Sequence, residues 1–118
     1  MKFRFEDLEI WNDSISLTDN LLNIADILED YSRRFAEQLR GACLSISNNI
    51  AEGSGSFSDK EFASFLNIAR RSVFECANLI IILHRREKIE TSVKEKLFED
   101  LDKLARKITN FRKSLIKQ

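Results

Sequence analysis

Residues 58–83 read SDKEFASFLNIARRSVFECANLIIIL. Phe62, Phe65, Leu66, Ala69, Val73, Cys76, Ala77, Ile80 and Leu83 recur at steps of three and four, the period of one helical face. The opening "SDKE" is a capping box: the Ser58 hydroxyl can accept from the Glu61 N–H, and the Glu61 carboxylate can reach back. The closing run "NLIIIL" is apolar most of the way round. A helix of that kind needs cover on several sides, either at the centre of a bundle or against another subunit.

The rest of the chain supplies that cover as further helices. Upstream, Phe35, Leu39, Ala42, Cys43, Ile46 and Ile50 form one face of a helix over 32–52, with Ser32 as N-cap and Gly53 as its stop. Further upstream, Leu8, Trp11, Ile15, Leu22, Ala25 and Leu28 mark a helix over 5–30. Downstream, Val93, Leu97, Leu101, Leu104, Ile108, Phe111 and Leu115 step close to a heptad seam. Ser92 and Glu95 there form a second capping-box pattern. The chain has no proline, which suits long helices. Short connections favour antiparallel neighbours. The expected fold is all-α, an antiparallel up-down-up-down four-helix bundle forming a single domain over 1–118.

Formal net charge is zero, which argues against a simple polybasic nucleic-acid binder. Acids without bases fill 6–30, and bases without acids fill 103–118. The acidic start of the first helix therefore pairs with the basic end of the last. Cys43 and Cys76 fall on apolar faces and read as buried free thiols of a cytoplasmic protein. No apolar run reaches the roughly 18 residues of a membrane span, and the first residues lack a signal-peptide core.

The polar stretch "SISNNIAEGSGS" at 45–56 is the one break in the pattern. It lacks the preceding strand and following lysine of a phosphate loop, and reads as a helix end, a turn and a cap. A hairpin turning at 56–57 sets Arg40 against Glu75, Gly41 against Ser72 and Asn49 beside Phe65. Arg40 and Glu75 then form a partly buried pair, joined by Gln38, that penalises wrong registers. Gly41 allows close helix approach. Asn49 fixes register or meets a partner. Glu52 opposes the helix dipole by about 0.3–1 kcal/mol and calls for a cation, from Arg70, Arg71 or another subunit.

Catalytic and metal sites are not indicated. His84 has no ligand set at metal spacing, and neither cysteine has an imidazole partner. No cofactor or small-molecule substrate is expected. Arg70, Arg71, Arg85, Arg86, Arg106, Lys107, Arg112 and Lys113 read as solvated faces. The alternative is a basic nucleic-acid surface assembled by an oligomer, although aromatic interleaving is sparse.

Two stretches, "LRGACLSISNNIAEGSG" and "KEFASFLNIARRSVFE", resemble a family of small bacterial proteins encoded in intervening sequences of large-subunit ribosomal RNA genes, also labelled the S23 ribosomal protein family. Ser45, Ile46, Asn49, Ile50, Ala51, Glu52 and Gly53 match its S-I-x-x-N-I-A-E-G element. Lys60, Glu61, Phe62, Phe65, Leu66, Ile68, Ala69, Ser72 and Glu75 match the family pattern downstream of that element. Ser47 stands where the family often has proline, and Arg71 where it often has glycine. The resemblance implies a four-helix bundle assembling into a ring-like homo-oligomer, a pentamer. It also implies kinship with a branch that accompanies reverse transcriptases and binds nucleic acid through a basic surface.

Overall fold

The computed structural model describes residues 1–117; residue 118, the last of the predicted domain, lies outside them. A 3-10 turn at Arg4–Asp7 precedes α1 (Glu9–Leu28), α2 (Arg33–Ser54), α3 (Asp59–Arg85) and α4 (Thr91–Leu115). No strand occurs among the described residues. Each helix packs on the next, and α1 on α4 closes the circuit. Thr18 Oγ1 donates to the Cys43 carbonyl at 3.3 Å, and Arg40 meets Glu29 at 2.7 Å. Ser45 meets Ser72 at 2.8 Å, and Arg70 meets Thr109 at 2.9 Å. Arg112 Nε donates to the Ala63 carbonyl at 3.1 Å. Across the α1–α2 and α3–α4 seams, the partner's number falls as the other rises. The core runs along the bundle axis through Leu21, Leu39, Ile46, Ile50, Phe62, Leu66, Ile80, Leu83, Leu101 and Ile108.

Helix starts obey local chemistry, with two corrections. Ser32 and Ser58 cap α2 and α3 by accepting from the Phe35 and Glu61 N–H groups, both at 3.1 Å. The predicted box at Ser92 does not form. Thr91 is already helical, Glu90 holds the cap position without a side-chain bond, and Thr91 Oγ1 lies 3.0 Å from His84 Nε2. The first helix starts later than predicted because Leu8 is extended (φ −84°, ψ 128°). Glu6 belongs to the preceding turn, where its carboxylate accepts from the Phe3 N–H at 2.8 Å. Arg4 ties that turn to the end of α2 by donating to the Ser54 carbonyl at 3.3 Å.

The helix ends also differ. Gly53 does not stop α2, which continues to Ser54 and tightens through Gly55 N–H to Glu52 O at 3.1 Å. Gly53 is instead a contact point. A Cβ there would lie 2.7 Å from Phe65 Cβ and 2.8 Å from Phe62 Cδ1. α3 ends in a Schellman motif: Lys88 N–H reaches Leu83 O at 2.9 Å and Glu87 N–H reaches His84 O at 3.0 Å. Glu87 occupies the left-handed position (φ 59°) that usually takes glycine.

Candidate interaction surface

The predicted register between α2 and α3 is off by about one helical turn, and the predicted contacts shift accordingly. Gly53, not Asn49, faces Phe65. Gly41 is exposed, and among the described residues no atom beyond its own stretch of helix lies within 4 Å of where its Cβ would be, so it aids no helix approach. Ser72 donates to Ser45 Oγ, and Asn49 Nδ2 donates to Ser45 Oγ at 3.0 Å and to its carbonyl at 2.7 Å. Asn49 thus belongs to a small polar layer between α2 and α3.

Arg40 does not pair with Glu75. It turns the other way, onto α1, with Glu29 at 2.7 Å and Asp26 at 3.0 Å. These carboxylates, Glu29 first, hold the guanidinium above its ordinary pKa. Two residues of one helix can face opposite neighbours when they lie on opposite sides of its stripe, and position 40 lies on the α1 side. Glu75 is exposed and carries no ion pair among the described residues. Glu52 is likewise exposed, with no cation on it among the described residues.

The basic residues divide. Lys107 bridges Asp13 (2.7 Å) and Glu9, the predicted meeting of acidic start and basic end. Its ammonium is raised above the ordinary value by Asp13 and then Glu9. Arg106 pairs with Asp102, Arg70 bonds Thr109, and Arg112 holds the Ala63 carbonyl. Arg71, Arg85, Arg86 and Lys113 carry no ion pair among the described residues. They occupy the middle of α3, its end, and the end of α4, so they form no single patch within one chain.

The outer side of α3 was not legible in this form. Ile68, Phe74, Ile81 and Ile82 are 43%, 56%, 40% and 38% exposed. The "NLIIIL" run buries Ile80 and Leu83 in its own chain and leaves Ile81 and Ile82 outside. Between α3 and α4 lies a groove of about 460 Å³ walled by Phe74, Ala77, Phe98 and Ala105, with Arg70, Asp102 and Arg106 among its polar lining. Arg70 lies over the Phe74 ring at 4.7 Å and braces it from one side. Phe74 falls off the core stripe of α3, and that offset is the sequence signal that marks it. Both thiols are fully buried, and burial pushes Cys43 and Cys76 above the ordinary thiol range. No metal-ligating cluster is present, and no helix is long and apolar enough to cross a membrane, among the described residues.

As a class, this is an all-α four-helix bundle with an apolar flank on its third helix. The chain belongs to the 23S rRNA-intervening sequence protein family, whose model matches residues 6–110. A solved structure from Bacteroides thetaiotaomicron, described as a protein of unknown function from the S23 ribosomal protein family, is similar in fold. Its TM-score is 0.81 at 21% identity, covering 88% of this chain and 98% of that one. No curated protein matches the chain.

Proposed function

We propose that this chain is a non-enzymatic scaffold or binding module of the cytoplasm that works as a homo-oligomer. The observation that carries this is the apolar outer side of α3. Four large hydrophobic residues there are each more than a third exposed, on an element that is otherwise the centre of the core. Of these, Phe74 and Ile81 lie two turns apart on one face of α3, and an exposed apolar pair beside the groove favours a protein contact. The family resemblance sets the expected count at five copies closed in a ring. Light scattering over a wide concentration range tests it: the expected mass is about five times the 13.7 kDa of one chain. A monomer throughout overturns the proposal.

A second reading has its own support. Arg71, Arg85, Arg86 and Lys113 are unpaired among the described residues and would be repeated around a ring, building a basic surface that one neutral chain lacks. In that case the assembly accompanies RNA or DNA. Binding to structured RNA is strongest at low salt, so absence of gel retardation there overturns this reading.

A further inference from the structure

Phe57 is the most exposed large hydrophobic residue after Met1, at 107% relative exposure. It stands in the turn between α2 and α3, and the backbone on either side is anchored. Ser56 N–H donates to Gly53 O at 3.0 Å, and Ser58 Oγ caps α3 at 3.1 Å. An aromatic ring offered to solvent from a fixed turn is a knob, and it falls outside every helical stripe of the sequence. The described residues of its own chain offer it no cover.

We infer that the Phe57 ring of one copy seats in the α3–α4 groove of the next. The inference rests on the self-association proposed above and names the two surfaces that make the contact. The groove has an apolar wall of Phe74, Ala77 and Phe98 and about 460 Å³ of space, and its two phenyl rings suit edge-to-face packing against a third. The charges match as well. The exposed acids Glu52, Asp59 and Glu61 flank the knob along the chain, against the bases Lys60 and Arg4, the latter bound to the Ser54 carbonyl. The groove is lined by Arg70 and Arg106 against the single acid Asp102. The knob thus carries one net negative charge and the groove one net positive charge. Knob and groove are different patches of one surface, one at an end of the bundle and one on its flank. Copies joined this way are linked head to tail, the type of contact that closes into rings.

The test uses the full chain and three variants, with mass read by light scattering and folding by circular dichroism. Phe57→Ser removes the knob and Phe74→Glu spoils the groove. Both positions are exposed, so the helical spectrum stays native. Each variant alone is expected to lose assembly by at least about tenfold in concentration, while Phe57→Leu retains it. An equimolar mixture of the Phe57→Ser and Phe74→Glu chains keeps one intact knob and one intact groove, and is expected to form a two-chain complex. Assembly of Phe57→Ser at wild-type strength overturns the knob and leaves self-association standing. A mixture that stays monomeric overturns the pairing of these two surfaces. A wild-type chain that is itself monomeric overturns both.

Discussion

Replacing Gly53 by alanine tests a close approach of α2 to α3. The added Cβ meets Phe65 Cβ at 2.7 Å and Phe62 Cδ1 at 2.8 Å. Carbon atoms rest at about 3.5–4.0 Å, so α2 and α3 must part by roughly 1 Å. The Phe65 atom is fixed to its backbone and cannot swing aside. The cost therefore sits near the upper part of the overpacking range, about 2–3 kcal/mol. Alanine returns about 1 kcal/mol of helix propensity, leaving a net loss of about 1–2 kcal/mol. Gly41→Ala is the matched control. It lies in the same helix, is exposed, and among the described residues its new Cβ has no atom within 4 Å beyond its own stretch of helix. It should gain about 0.8–1 kcal/mol from propensity alone. Urea unfolding followed by circular dichroism at one protein concentration reads both. The same chemical change should move the midpoint in opposite directions, with the two variants about 2–3 kcal/mol apart. Equal midpoints, or a more stable Gly53→Ala, refute the close-approach account.

Other outcomes come from the same geometry. Arg40→Gln should lower the unfolding midpoint more than Glu75→Gln, because only Arg40 is engaged, with Glu29 and Asp26; equal effects would restore the pair that sequence spacing suggested. Glu87→Gly should stabilise the chain by about 0.5–1 kcal/mol, since glycine accepts the left-handed position without the side-chain penalty; a loss of stability in thermal melts would contradict this. Burial holds the Cys76 thiol above its ordinary 9.0, so above about that pH the unfolded chain ionises there and the folded chain does not. The unfolded state then binds fewer protons, and stability falls with rising pH by up to about 1.4 kcal/mol per unit for this group. Cys76→Ala should flatten that alkaline decline, and an unchanged slope counts against it. Phe62 is 1% exposed and packs edge-on to Phe111 at 5.5 Å, so Phe62→Ala should cost about 3–5 kcal/mol in the same urea assay.

The helices were legible because hydrophobic period is a local property, and α3 carries it over 27 residues. Seam partners were less so. A shift of about one turn in where the α2–α3 hairpin reverses separates Asn49 from Phe65 and puts Gly53 in its place, whereas Arg40 differs because it lies on the α1 side of its helix. Gly53 looks like a stop because glycine usually is one, but its function depends on two phenylalanines of the next helix. Glu95 and Ser92 match a cap pattern, yet Thr91 enters the helix first and lies against His84, a choice made between two helices rather than within four residues. Phe57 and Phe74 lie off every stripe, so hydrophobic period sets them apart from the core without saying what they meet. Their meaning is visible only once a surface exists.

The bridge from Lys107 to Glu9 and Asp13 joins residues 98 and 94 positions apart. The other three seams are hairpins, whose turns lie beside the residues they bring together. A chain assembling by local contacts zips those hairpins early and closes the α1–α4 seam last, when the longest loop is bridged. Lys107 is then expected to act as a latch that sets late in folding. Its removal should raise the unfolding rate and leave the folding rate nearly unchanged. As a partly exposed ion pair it contributes within the small surface range, and that contribution is expected to appear in the unfolding rate.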